Sequence, residues 1–274
     1  MGMDSNMMNT STKNVSTKIA LVTGAAKRLG RSIALRLAQD GWDIGVHYGQ
    51  SATEAQATVL AVQSLGRRAV ALQADFAQQA QVDSLVEQCT VALGLPDCIV
   101  NSASLFAFDD AADFSPAQFE THMQINAIAP IALSRDLYRA RLHAKDVFAR
   151  VFTHPSVIIN LLDQKLANPN PDFLSYTLSK SALYQATTLL AQAYAPELRV
   201  VGLAPGLTLI SGDQTQEGFE RAHQQTPLGK SSTPEDIAEA VVYLTSAHAI
   251  TGTTLFVDGG QHLNPSKRDV MFLT

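Results

Sequence analysis

Short apolar runs recur along the chain, and all but the last lead into a stretch with helical spacing. The runs are Lys18–Val22, Trp42–Tyr48, Ala69–Gln73, Cys98–Val100, Val157–Leu162, Arg199–Leu203 and Thr253–Val257. Each is too short for a helix and rich enough in β-branched and apolar residues to be a buried strand. Between them, apolar positions such as Ile33, Leu35, Leu37 and Ala38 fall on one helical face, and Gly41 and Gly66 stand where the first two helices should end. Further helical patterns cover about 79–93, 116–144, 175–194 and 234–245, while 208–232 is polar and irregular and reads as a loop, the expected substrate lid. Strands alternating with helices predict right-handed βαβ units: an α/β, doubly wound, seven-stranded, mostly parallel sheet with helices on both faces. We expect one domain over 18–274, preceded by a disordered tail, 1–17, with no repeats and no linker.

Composition narrows the picture. The 274 residues are 46% hydrophobic and 16% charged, enough apolar material for one large core. A net charge of −5 gives no basic footprint, so no nucleic-acid partner is expected. Cys89 and Cys98 do not have CxxC spacing, which argues against a disulfide framework or a zinc site; no metal is expected, and a reducing cytoplasm fits. The first residues lack the apolar core of a signal peptide, and no apolar run is long enough to span a membrane.

The candidate chemistry gathers where strands end. Gly24, Ser104, Asp163 and Gly206 each follow a strand, so the predicted topology brings them to one edge of the sheet, where such folds bind ligands. The turn Thr23-Gly24-Ala25-Ala26-Lys27-Arg28-Leu29-Gly30 between a strand and a helix is suited to a phosphate, although Arg28 stands where a third glycine is expected. The second strand ends in His47, Tyr48, Gly49, Gln50 and Ser51, with no acid before Glu54. An acid there would favour a ribose 2′-hydroxyl; its absence, with Lys27 and Arg28 nearby, favours NADP over NAD. Asp75, after the third strand, either faces an adenine amino group or caps the next helix. Tyr176 and Lys180 lie one helical turn apart, about 6 Å, on a shared face. An ammonium beside a phenol is expected to lower the phenol pKa and make it a usable proton donor.

In this order, TGAAKRLG (Thr23 to Gly30), NSAS (Asn101 to Ser104), Asn126, YTLSK (Tyr176 to Lys180) and APG (Ala204 to Gly206) resemble the short-chain dehydrogenase/reductase family over residues 18 to 262. The resemblance implies a Rossmann fold, Tyr176 as catalytic acid, Lys180 as its partner and the nicotinamide-ribose ligand, and Asn126 as anchor of a water relay. It also implies cofactor contacts from Gly24, Lys27, Arg28, Leu29, Gly30, His47, Tyr48, Ser51, Asp75, Asn101, Ser102, Ala103, Ser104, Pro205, Gly206 and Leu207. A homotetramer is the family's usual assembly. The family's usual serine 13 residues before the tyrosine is here Asp163, a departure that points to lost activity or to a different substrate. Arg28, His47-Tyr48, Phe106 and Asp163 together resemble the pteridine reductase branch and the bacterial dihydromonapterin reductases. That branch implies an NADPH-dependent reduction of a dihydropterin, with Phe106 stacking the pterin on the nicotinamide, Ser104 meeting phosphate or pterin, and Arg28 bridging pyrophosphate and pterin. Asp163 and Tyr176 would then serve the ring nitrogen. The competing readings are a carbonyl reductase acting on an oxoacyl-type substrate and a non-catalytic NADP-binding sensor. The apolar end, Val270 to Thr274, reads as a frayed terminus or as a segment docking on a neighbour.

Overall fold

The computed structural model describes residues 17–148, 151–210 and 214–272; the expected tail, apart from Thr17, lies outside the described residues. Seven strands form one sheet: β1 (Ile19–Val22), β2 (Asp43–Tyr48), β3 (Ala69–Gln73), β4 (Cys98–Asn101), β5 (Ser156–Leu161), β6 (Leu198–Pro205) and β7 (Thr254–Val257). Their order is β3-β2-β1-β4-β5-β6-β7, and every pairing is parallel. The connecting helices are α1 (Arg28–Gln39), α2 (Ala52–Ser64), α3 (Gln79–Ala92), α4 (Pro116–Met123), α5 (Ala129–Phe148), α6 (Leu174–Tyr194), α7 (Gln216–Gln224) and α8 (Pro234–Ser246).

Alternation along the strands divides the core in two. Ala20 and Val22 of β1 join one buried cluster with Ile33 and Leu37 of α1 and Ile237 and Val241 of α8. Ile19 and Leu21 join the other, with Leu85 of α3 and Leu133 and Leu137 of α5. Successive side chains of a strand point to opposite faces, so a strand covered on both sides is apolar throughout; β1 and β4 are buried at every position. The chain reverses direction of growth between β1 and β4, and the loops after these two strands part there to open a crevice.

Two elements differ from the sequence expectation. The single helix expected over 116–144 is interrupted by a π-helical turn, Gln124–Ile128, between α4 and α5. The polar stretch expected to be irregular contains α7, whose N-terminus is capped by Thr215 accepting from the Gly218 N–H. Among the described residues no helix is long and apolar enough to cross a membrane.

Candidate active site

A cleft of about 450 Å³ lies at the carboxyl edge of the strands. A cavity of similar size, about 460 Å³, lies elsewhere, between Arg141, Phe152, His154 and Pro196; the cleft is the one that contains Asp163, Tyr176 and Lys180.

One wall is the turn from β1 into α1. Gly24 adopts φ +65°, and a Cβ there would sit 3.0 Å from the Ala103 Cα. At Gly30 a Cβ would meet the Gly24 carbonyl oxygen at 2.4 Å, so only glycine lets the helix approach the turn. Arg28 opens α1 at φ +52°, a left-handed conformation that is costly for a side-chain-bearing residue. The α1 N-terminus has no side-chain cap and no acid in its first turn. Its first N–H groups and positive dipole end are therefore suited to an anion. The Thr23 hydroxyl accepts from the N–H groups of Ser102 and Ala103, both at 2.9 Å, and so fixes the loop after β4 against this turn. Lys27, Arg28, Leu29, Ser102, Ala103 and Ser104 line the cleft. Pro205, Gly206 and Leu207 close its far side after β6, where the Leu207 N–H is held by Gln261 Oε1 at 2.9 Å. Arg28 Nη2 crosses to the Ile210 carbonyl at 2.9 Å.

The reactive cluster sits in the middle. β5 ends with Leu161, and Asp163 follows as cap of a short 3₁₀ turn, its Oδ1 accepting from the Lys165 N–H at 2.8 Å. Helix α6 carries Tyr176, Ser179 and Lys180. The Tyr176 hydroxyl donates to Asp163 Oδ2 at 2.8 Å. The Lys180 ammonium donates to the Leu161 carbonyl at 2.7 Å. Asn126, in the π-turn, donates to Ser179 Oγ at 3.0 Å and to the Leu105 carbonyl at 2.9 Å, and its Oδ1 accepts from the Leu105 N–H and the Ser104 hydroxyl. A π-turn inserts one residue into the helix and re-aims the side chain beside it. It is how Asn126 comes to join the loop after β4 to α6. The N-terminus of α6 is fixed by Asp109, which accepts from both the backbone N–H and the hydroxyl of Ser175.

Electrostatics correct one expectation. The Tyr176 pKa is not lowered overall. Burial and the adjacent Asp163 carboxylate raise it well above 10, so the group remains a phenol. Burial also raises the Asp163 pKa, opposed by its bonds from Lys165 and Tyr176. Burial brings Lys180 from 10.5 down to about 8, partly offset by Asp163.

Several expected cofactor residues lie apart from the cleft wall. His47 is buried inside β2. Its Nδ1 accepts from the Gly24 N–H at 3.1 Å, its Nε2 reaches the Ala74 carbonyl at 3.0 Å, and burial lowers its pKa to about 4. The imidazole is thus a neutral brace for the glycine turn, and its side chain is unavailable to a ligand. Asn101 is buried between strands, donating to Asn160 Oδ1 at 2.8 Å. Tyr48 packs against the core, Ser51 precedes α2 without capping it through its side chain, and Asp75 accepts from the Ala77 N–H at 2.9 Å, a loop-capping role.

The site residues expected from the sequence did not include the chain's last segment. Asp269, Val270 and Met271 line the cleft, together with Gln164 and Gln261. Phe272 packs edge-on against Phe108 at 5.5 Å. The apolar end up to Phe272 therefore folds back on its own chain, where the sequence suggested a frayed end or a docking segment; residues 273–274 lie outside the described residues. Phe106, 40% exposed, stacks on Phe173 at 4.2 Å and meets Tyr176 edge-on at 4.7 Å.

Residues 24–262 match the family model described as enoyl-(acyl carrier protein) reductase. The chain belongs to the short-chain dehydrogenase/reductase family. Members of this family are oxidoreductases that use NAD(P). Among curated members, 3β-hydroxysteroid dehydrogenase 1 of Eggerthella lenta is 33% identical, with 90% of this chain and 95% of that protein covered. Pteridine reductase 1 of Leishmania tarentolae is 31% identical, covering 92% and 99%. Among solved members, FolM alternative dihydrofolate reductase 1 of Brucella canis, complexed with NADP, superposes with a TM-score of 0.84 at 34% identity, covering 93% of this chain and 98% of that one.

Proposed function

We propose that the protein is an NADPH-dependent reductase of dihydropterins, of the dihydrobiopterin, dihydromonapterin or dihydrofolate type. The observation that carries this reading is the Tyr176–Asp163 hydrogen bond at 2.8 Å, in a cleft whose wall includes Phe106. A ketone reduction needs a proton for an alkoxide, for which a phenol suffices. A ring C=N leaves a basic nitrogen once hydride has added to carbon, and a carboxyl coupled to the phenol suits it. The NADP-complexed dihydrofolate reductase from Brucella canis and the Leishmania pteridine reductase support the same substrate class.

The residues present fit the cofactor. The uncapped α1 terminus and the glycine turn suit its pyrophosphate, with Lys27 and Arg28 supplying cations beside it. Bound there, NADPH supplies the hydride. Lys180, cationic below about pH 8, would hold the nicotinamide ribose, as the family resemblance implies. Phe106 presents a partly exposed ring against which a flat heterocycle stacks, which fixes its orientation. While Asp163 is ionised, the phenol donates to it. Once the carboxyl is protonated, a state its raised pKa favours, the bond polarity reverses and the Tyr176 proton is directed into the cleft. The phenol protonates the ring nitrogen and recovers a proton from the carboxyl. Ser104 and Arg28 line the cleft, in the roles the family resemblance implies, Ser104 meeting phosphate or pterin and Arg28 bridging pyrophosphate and pterin, and Asn126 holds Ser104 in place.

The test follows NADPH oxidation with dihydrobiopterin, dihydromonapterin and dihydrofolate. Turnover of at least one, reduced about 10²–10⁴-fold in Tyr176→Phe, is expected. No turnover of any dihydropterin, alongside reduction of oxoacyl thioesters, would replace this reading by the carbonyl one. The reading includes a homotetramer, checked by light scattering.

A further inference from the structure

The segment Arg268–Phe272, whose residues Asp269, Val270 and Met271 line the cleft, is tied to the rest of the fold at several points. Arg268 Nε contacts both carboxylate oxygens of Asp172, at 3.0 and 2.9 Å. The Asp269 N–H donates to Asp172 Oδ2 at 2.7 Å. The buried Lys165 ammonium binds the Asp172 carbonyl at 2.5 Å and Asp269 Oδ2 at 3.2 Å. Phe272 stacks on Phe173 at 6.0 Å, the ring that also backs Phe106. Lys165 is itself held to the reactive centre through its backbone N–H on Asp163. The strap thus continues the Tyr176–Asp163 network into a new wall and carries an acid in that wall.

We infer that Asp269 is a specificity-determining residue, its carboxylate accepting hydrogen bonds from an amidine-like N–C–N edge of a flat heterocycle stacked on Phe106. This rests on the pterin reading. Three observations support it. Asp269 lines the cleft with its side chain only 15% exposed, so a bond made there is shielded from water. Its Oδ1 accepts from the Met271 N–H and its Oδ2 from Lys165, which fix the carboxylate while leaving acceptor capacity. Its charge also acts on the reactive pair, raising the pKa values of Asp163 and Tyr176. Paired N–H donors match a carboxylate in geometry, and such charge-assisted bonds are roughly twice as strong as neutral ones. Val270 and Met271, beside it, supply apolar contact to the ring.

The experiment titrates 2,4-diaminopteridine and 2,4-dioxopteridine into the full-length protein saturated with NADP. The first probe, once protonated at N1 beside the carboxylate, presents N1–H and a 2-amino N–H as the paired donor edge, and the second replaces its amino groups by carbonyl acceptors. Wild type is expected to prefer the diamino probe by about tenfold or more. Asp269→Asn should bring the two affinities within about threefold by losing the diamino probe alone. Asp269→Ser gives the same comparison should the Asn variant not fold. Arg268→Ala, which loosens the strap but retains the carboxylate, should weaken both probes by a common factor. An unchanged preference in the folded Asp269 variant, or no preference in wild type, overturns the assignment. A wild type that shows the preference but reduces no dihydropterin removes the substrate reading and leaves Asp269 standing; dihydropterin turnover with the preference unchanged in Asp269→Asn does the reverse.

Discussion

Asp163 and Tyr176 share a hydrogen bond in which both partners have raised pKa values, the phenol held neutral by its burial and by the acid. The reaction proposed here uses the protonated carboxyl, so kcat/KM should fall as pH rises through the Asp163 pKa. Asp163→Ala should flatten that limb and lower the rate by about 10²-fold or more, as a pH–rate series would register. Lys180 makes a separate prediction about stability. Its pKa falls from 10.5 to about 8 on folding. Between those values the unfolded chain retains a proton that the folded chain has shed, so stability rises with pH across that window; below it, the buried charge costs its full penalty. Lys180→Met should abolish this rise, and at pH 7 should raise stability by about 1–3 kcal/mol while abolishing turnover, measured by chemical denaturation across pH 7–11. The sequence placed Tyr176 and Lys180 on one face, and they are there. It did not show that the ammonium would be taken up by the Leu161 carbonyl, because a spacing along a helix says nothing of what the neighbouring strand end offers.

At the scale of elements, the glycine turn and the break in the fourth helical stretch determine the shape of the cleft. Gly30→Ala places a methyl against the Gly24 backbone at 2.4 Å, and backbone has little room to yield. Urea denaturation should show a loss of about 1–3 kcal/mol, and NADPH titration should show cofactor affinity lost with it. Every strand was legible as an apolar run and every helix but α7 as helical spacing, with α4 and α5 read as one helix. The exceptions have physical reasons. Helix α7 has only Gly218 and Ala222 buried, so it carries no apolar stripe to read. The π-turn at Asn126 is a one-residue insertion that leaves helical spacing nearly intact. His47 at a strand end looks like a ligand residue in sequence. In the fold its ring enters the core and stacks on Phe76 at 4.3 Å, bracing Gly24 from behind.

Across the whole molecule, the strand order places the turn after β1, the loop after β4 and the acid after β5 side by side, although they are distant in sequence. A segment from the opposite end of the chain, Asp269 to Met271, completes the wall. That last piece was illegible because the sequence states no contact between a terminal stretch and residues far earlier, such as that of Arg268 with Asp172, 96 positions apart. A ligand that binds only the folded form stabilises it by mass action, so NADPH at about 100 times its Kd should add about 2.7 kcal/mol. NADH at equal concentration should add less, as a pair of thermal melts would show. The most direct measurement compares kcat/KM for dihydrobiopterin and NADPH in wild type and in Asp163→Ser, which restores the residue usual in the family while leaving Tyr176 and Lys180 in place. The account predicts that wild type turns over and that the serine variant loses about 10²-fold or more with dihydrobiopterin. A serine variant as fast as wild type would contradict the claim that the Asp163–Tyr176 pair delivers the proton.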